Sequence, residues 1–570
     1  MNTTTHRRRS RSARPRLNAG ITGFLPLVAL LAAIAQPALA QQDADAQGGA
    51  HADAHSQPPT AHDAEPVLHP APVTTRNSVD IRNASDDLTT IHFEATVGTL
   101  TLHDENDERA PIADVFYIAY HKLVPAGMND DGTPRFERPD PADRPITFSF
   151  NGGPGSSSVW LHLGVFGPFR PSYGDDVGSP GPPPYAAVPN EHSVFELSDF
   201  VFIDPVRTGF SRARPGVDED RFHSVDGDID SVADFIYRYL ADHNRFGSPT
   251  FIAGESYGTT RAAGLTERLF SRHGLALNGV LLVSAVLDFQ TIRFATNNDL
   301  PHMLFLPSYT ATAHYHDRLD DELQERDLPD LLAEVERFAL TDYAVALHQG
   351  AALPDAERDR IAARLARYTG LPEEFLLRAD LRPSMAQFVK MLRRDEAIVV
   401  GRLDSRFTGS DRTPTGESSY EYDASYAAIQ PNYTSALNQL LRTKLGYDTP
   451  LTYEILTGKV WPWDYSARAS NRYLDVAEDL RSALHKSPQT KVYVASGYYD
   501  LATPYFATDY TIDHLSLDPK LRDNLMVRYY ESGHMMYIHR DSLERQKANL
   551  RAFYAWALGD AERPADPDQR

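Results

Sequence analysis

The sequence predicts an α/β fold with a central, mostly parallel sheet and a large helical insertion. Three observations predict it. Short apolar runs alternate with amphipathic helical segments through residues 146–287, a charge-rich helical stretch then replaces that alternation, and strand-like runs return near the C-terminal end of the chain. Runs that are apolar along their whole length read as strands buried on both faces, as in parallel sheets covered by helices.

Taken in order, the chain of 570 residues opens with arginines (Arg7, Arg8, Arg9, Arg11, Arg14, Arg16), an apolar run over 21–35, and Ala38-Leu39-Ala40. This is the pattern of a signal peptide over 1–40, and it predicts an exported protein, periplasmic or secreted. The apolar run is short and interrupted by Pro26, and no later stretch reaches about 18 uninterrupted apolar residues, so no stable membrane insertion is expected. Removing 1–40 takes away six arginines and no acid, moving the formal charge from −22 to −28. Such a balance repels nucleic acid and anionic membrane surfaces. The sequence has no cysteine, which excludes disulfides, thiol catalysis and Cys-ligated zinc. Export without disulfides suits a bacterial periplasm.

Residues 41–75 are rich in Ala, Asp, His, Gln and Pro and poor in large apolar side chains, the composition of a disordered linker. Its histidines His51, His55, His62 and His69 are read as part of that linker rather than as a metal tract. Folded sequence is expected from 76 onward, near Ser78, opening with an antiparallel hairpin built on Ile91, Phe93 and Ala95 and on 115–119. Strands follow at 146–150, 200–204, 250–253 and 280–287. A helix carrying Ile229, Val232, Ile236 and Leu240 lies between the second and third, as βαβ units require. The first part of the core therefore spans 76–292, the helical insertion 293–471, and the second part of the core 472–560. That second part has strands at 491–496 and 525–530 and a last helix bearing Leu543, Leu550, Phe553 and Ala557. Residues 561–570 read as a flexible tail.

Gly254-Glu255-Ser256-Tyr257-Gly258 joins the strand at 250–253 to a helical stretch over 259–272. A serine on such a strand-to-helix turn stands above the sheet edge, and flanking glycines prevent collisions there, as in the α/β-hydrolase fold. The helix N-terminus brings amide donors toward developing negative charge. A serine hydroxyl needs a general base, and the base needs an orienting carboxylate. In this fold class the order is Ser, then Asp or Glu, then His, on loops after late strands. Asp500 and His534 each follow a strand end and a glycine and are assigned as acid and base, with His539 and His514 as alternatives. Asn151-Gly152-Gly153-Pro154-Gly155 follows the strand at 146–150 and offers a backbone cradle for an oxyanion. The amides of Gly153 and Tyr257 are the expected donors. The chemistry calls for no metal and no other cofactor.

These motifs, with Asp204-Pro205-Val206, Thr208-Gly209-Phe210-Ser211 and Gly533-His534-Met535, resemble those of the serine carboxypeptidases over roughly 148–537. The resemblance implies removal of C-terminal residues from peptide substrates through an acyl-enzyme on Ser256. It also implies that Asn151, the Gly152 amide and Glu255 bind the substrate's terminal carboxylate, and that the insertion caps the site and shapes the substrate pocket. Glu255 can hold an anion only if one of the two groups is protonated. A second glutamate usual in the family is replaced by Val165, in Gly164-Val165-Phe166-Gly167-Pro168. Ser156 stands where the family has a disulfide-forming cysteine, Ser149 replaces an aromatic, and Arg207 and Arg261 replace uncharged residues. Both arginines are expected to pair with neighbouring acids. Residues 401–407 and Trp461-Pro462-Trp463 are read as a charge-paired loop and a packing anchor. The competing readings are another esterase or peptidase with the same triad, an acyltransferase, and a non-catalytic binding protein of the same fold.

Overall fold

The computed structural model describes residues 69–565, except 108, 173–180 and 419. The expected signal peptide and most of the expected linker lie outside the described residues. Strand β1 (Val73–Arg82) begins before the expected boundary at 76 because alternate residues of this stretch, ending in Val79 and Ile81, turn to the core while the whole length pairs with β2 (Leu88–His103). Strand β3 (Pro111–Met128) completes the opening antiparallel layer.

The remaining strands are β4 (Ile146–Phe150), β5 (Asp199–Ile203), β6 (Thr250–Ser256), β7 (Gly279–Ala285), β8 (Lys491–Gly497) and β9 (Leu525–Tyr530). The sheet order is β1-β2-β3-β5-β4-β6-β7-β8-β9, and every neighbour pair from β5 onward is parallel. Order reverses between β5 and β4, and in an open α/β sheet such a switch point opens a crevice at the carboxyl ends of the strands. Chemistry is therefore expected where β4 and β6 end, which is where the glycine-rich loop and Ser256 lie.

Period-two alternation sends each strand's side chains to two cores. Phe251, Leu281, Val283 and Tyr493 join one face, while Ile252, Val280, Leu282 and Val492 join the other. Helices α1 (Val225–Asp242), α2 (Tyr257–His273) and α4 (Ala477–Lys486) cover the second face, and α5 (Arg540–Leu558) covers the first. Each large apolar side chain buried in these layers contributes about 1.5–3 kcal/mol. Helix α3 (Ala424–Thr443), within the stretch expected to be insertion, places Tyr433, Leu437 and Leu440 in the first-face core.

A third core is formed by the helical region between Met303 and Val400. It also includes Tyr498, Leu501 and Tyr505 from the segment just after β8. The helical region is thus continuous in packing with a loop of the sheet. At the far end of the chain, Arg563 donates to the Leu525 carbonyl and Arg528 to that of Ala565, so 561–565 are tied to β9 rather than forming a free tail. No helix among the described residues is long and apolar enough to cross a membrane.

Candidate active site

Ser256 is the last residue of β6 and the N-cap of α2, with φ 60° and ψ −131°. For a non-glycine residue this backbone costs on the order of 1–3 kcal/mol and persists only where packing enforces it. The enforcement is visible at Gly254, where an added Cβ would lie 2.1 Å from the carbonyl oxygen of Gly258. The cradle is equally tight: a Cβ on Gly152 would lie 2.4 Å from the amide nitrogen of Tyr257. The glycine-rich loop therefore sits directly against the first amides of α2. Gly153, the next residue, turns the chain with φ 102°.

Asn151 and Glu255 are joined across this junction. The Asn151 side-chain amide donates to Glu255 Oε1 at 2.9 Å, and its Oδ1 accepts from the Leu161 amide at 3.1 Å. Beneath them lies Arg261, whose guanidinium donates to the Asn151 carbonyl at 2.6 Å and to Asp228 at 2.8 Å. Both members of that ion pair are buried, so removing either would leave an uncompensated charge in the core. Arg207 pairs with Glu219, so both arginines meet acids of this chain. Ser156, in place of a cysteine, accepts from Trp160 Nε1 at 2.9 Å and lies in a backbone bridge to Leu456. Together with the Ser157 amide to Ile455 and the Thr457 amide to Gly155, that bridge ties the loop to residues 455–457 without a disulfide. Trp463 packs edge-on against the Tyr257 ring, with centroids 5.5 Å apart.

On the other side, β7 connects the elbow to the loops after β8 and β9. The register of β6 against β7 shifts at the elbow, so that Glu255 pairs with Val283 and Ser256 with Ala285, and the Ser284 hydroxyl between them donates to the His534 carbonyl at 2.7 Å. His534 Nδ1 donates to Asp500 Oδ2 at 2.7 Å. Asp500 is fully buried and also accepts from the amides of Ala502 and Thr503 and from the Thr503 hydroxyl. With Nδ1 engaged in this way, Nε2 is left as the basic nitrogen of the neutral ring. Burial opposes protonation of His534, but the charge of Asp500 and the hydrogen bond to it, with a smaller contribution from Glu255, outweigh burial and raise its pKa above the ordinary imidazole value. His539 instead bonds Ser542 and His514 bonds the Tyr510 carbonyl, so neither alternative partners Asp500.

Glu255 is also buried, and desolvation pushes its pKa up to about 7. His534 and the hydrogen bonds from Tyr537 and Asn151 pull it down, while Asp500 pushes it further up. The structure thus brings Asn151, Gly152, Gly153, Glu255, Ser256, Tyr257, Asp500 and His534 together from four separate segments.

Thr503 and Tyr537 are further contributors with no sequence signal marking them, and Asp404 and Arg406, read in the sequence only as part of a charge-paired loop, are two more. Segment 401–407 touches both late loops. The Leu501 amide bonds the Arg402 carbonyl, the Ser405 amide bonds the Tyr499 carbonyl, and the His534 amide bonds the Leu403 carbonyl at 2.6 Å. Asp404 accepts from the Gly533 amide and is paired with Arg406, which in turn donates to Ser532 and to the Glu531 carbonyl. What reads in the sequence as a charge-paired loop is, in space, a clamp holding the Asp500 and His534 loops together.

The sheet order and the strand-turn-helix serine place the chain in the α/β-hydrolase class. The serine carboxypeptidase family model matches residues 135–536, and the chain belongs to that family. Serine carboxypeptidase-like 45 of Arabidopsis thaliana is 28% identical over 163 residues, covering 27% of this chain and 32% of that protein. Serine carboxypeptidase-like 13 of the same plant is 27% identical over 156 residues, covering 27% of this chain and 35% of that protein. The chain thus spans about a third of the length of the curated relatives it matches. Among solved structures, a prohormone-processing carboxypeptidase from Saccharomyces cerevisiae aligns at 17% identity and TM-score 0.48, covering 84% of this chain and 93% of that one. A proline iminopeptidase from Mycobacterium smegmatis aligns at 12% identity and TM-score 0.33, covering 81% of this chain and 100% of that one.

Proposed function

We propose that the protein is a serine-type carboxypeptidase that removes C-terminal residues from peptides. The observation that carries the reading is the pairing, in one crevice, of the Ser256 elbow and the Asp500–His534 couple with Glu255 and Asn151 beside the serine. Ser256 Oγ attacks the scissile carbonyl carbon while its proton passes to Nε2 of His534, and Asp500 stabilises the resulting imidazolium. The amides of Gly153 and Tyr257 meet the oxyanion. The carbon–nitrogen bond then breaks, and the leaving amine takes the proton from His534. Water, deprotonated by the same histidine, attacks the ester carbon, and the carbon–Oγ bond breaks as the histidine returns that proton to Ser256 Oγ, freeing the shortened peptide.

Glu255, Asn151 and the Gly152 amide bind the terminal carboxylate, with Glu255 in its protonated form as donor. A residue with a pKa of about 7 can serve in this way to neutrality and below. The helical region holds the Asp500 loop through its core and borders the site. Export is supported by the arginine-rich start, the apolar run over 21–35 and Ala38-Leu39-Ala40, and a periplasmic setting by the lack of cysteine.

The test compares a blocked dipeptide with its C-terminal amide and a simple ester. The free acid should have the highest kcat/KM near neutrality and below, and equal turnover of all three would refute the exopeptidase reading.

A further inference from the structure

Glu255 meets a partner that no other feature of the site calls for. The Tyr537 hydroxyl donates to Glu255 Oε2 at 2.7 Å, and both residues are buried. Tyr537 lies three residues beyond His534, on the short helical turn Met536–Ile538 that leads into α5. Its ring occupies the space above Gly164, where an added Cβ would lie 2.2 Å from the ring. Gly164 precedes Val165, which is itself fully buried and brings no polar atom to the site. The segment that lacks an acid is therefore also the segment whose missing side chain makes room for the tyrosine.

We infer that Tyr537 is a positioning residue that replaces a second acid as the partner of Glu255 and so sets the pH range over which the protein recognises a free C-terminal carboxylate. The inference rests on the carboxypeptidase reading above. Its chemistry differs from that of a carboxyl pair. Two carboxyls share a proton, so one of them remains a donor to the substrate's anion. A phenol at neutral pH only donates to a carboxylate, stabilising the ionised form of Glu255. With Asn151 donating to Oε1 and Tyr537 to Oε2, each oxygen accepts a bond that favours the ionised form of Glu255.

The groups facing Glu255 are His534 and Asp500 from the late loops, Tyr537 from the turn after them, and Asn151 from the cradle. Of these, Tyr537 can lose its hydroxyl while keeping the ring that fills the space over Gly164. Loss of that donor costs the carboxylate more than the neutral acid, because a charge-assisted hydrogen bond is the stronger one, so Glu255 should keep its proton to higher pH.

The experiment measures KM for a blocked dipeptide and for its C-terminal amide across the neutral range, in the wild type and in Tyr537→Phe. In the wild type the ratio of KM for the acid to KM for the amide should rise through about pH 7, where Glu255 ionises. In Tyr537→Phe the midpoint of that rise should move up by about one pH unit, making acid binding above neutrality several-fold tighter than in the wild type. Labelling of Ser256 by a fluorophosphonate establishes that the variant's site is assembled. A midpoint that stays or falls in a variant that labels would overturn the role of Tyr537. In a Glu255→Gln background, Tyr537→Phe should produce no such shift, and an equal shift there would assign the effect to another group and overturn the inference. A wild type that labels but never distinguishes acid from amide would overturn the carboxypeptidase reading instead.

Discussion

The two halves of the crevice are built by different means. The half bearing Ser256 is assembled from β4, β6 and α2, which pack within the sheet's own two cores, and its geometry follows from glycines within a few residues of the serine. The half bearing Asp500 and His534 sits on two loops, the first packed into the third core and the second into the first-face core of the sheet, and the backbones of both are bonded to segment 401–407. The nucleophile's geometry is thus local, while the relation of acid to base depends on a stretch far away in sequence. The elbow should therefore survive damage to the helical region, and the acid–base couple should not.

The largest expected effects fall on the reacting groups. Ser256→Ala and His534→Ala should each lower kcat by a factor on the order of 10⁴ or more, and Asp500→Asn should leave a small residual rate. Steady-state kinetics on a blocked dipeptide would show this, and near-normal turnover in either alanine variant would break the assignment. Next comes the clamp. Asp404→Asn removes the charge paired with Arg406 and weakens the bond from the Gly533 amide, so kcat should fall roughly 10- to 100-fold while fold and elbow are retained. Circular dichroism would check the fold. Equal kcat in that variant would mean that the two halves do not differ as described.

A smaller effect concerns stability. A carboxyl whose pKa is raised by burial from its ordinary 4.5 to about 7 favours the folded state at low pH. Its contribution is fully present below the unfolded-state value and is lost as pH rises through the folded-state value, a change of about 3 kcal/mol. Glu255→Gln should thus be more stable than the wild type above neutrality, with the difference vanishing below about pH 4.5. The Tyr537 hydroxyl can rotate to accept from the new amide. Denaturant melts at two pH values would measure it, and no pH dependence in the difference would show that Glu255 is not strained in its site. The same variant should lose affinity for free-carboxylate peptides more than for their amides.

Much of the parallel sheet was legible in the sequence, because strands buried on both faces write short, largely apolar runs such as 200–203 and 280–287. The residues of the site were legible where chemistry demands neighbours in sequence, as at Gly254 to Gly258, or a fixed order along the chain, as for Asp500 and His534. Contacts across the chain were not. Tyr537 and Glu255 are 282 positions apart, and nothing in either stretch announces the other. The role of Asp404 was hidden for the same reason, since an aspartate two residues from an arginine reads as an exposed ion pair. The extent of the helical region was also obscured, because the apolar face of α3 is compatible with either core until the packing is seen.

The central claim is that Ser256 is the nucleophile and His534 its base. Mass-spectrometric mapping of the adduct formed by a fluorophosphonate probe tests it most directly. The account predicts a single adduct on Ser256, whose formation is abolished or strongly slowed in His534→Ala. An adduct on a different residue, or none on the folded wild-type protein, would contradict it.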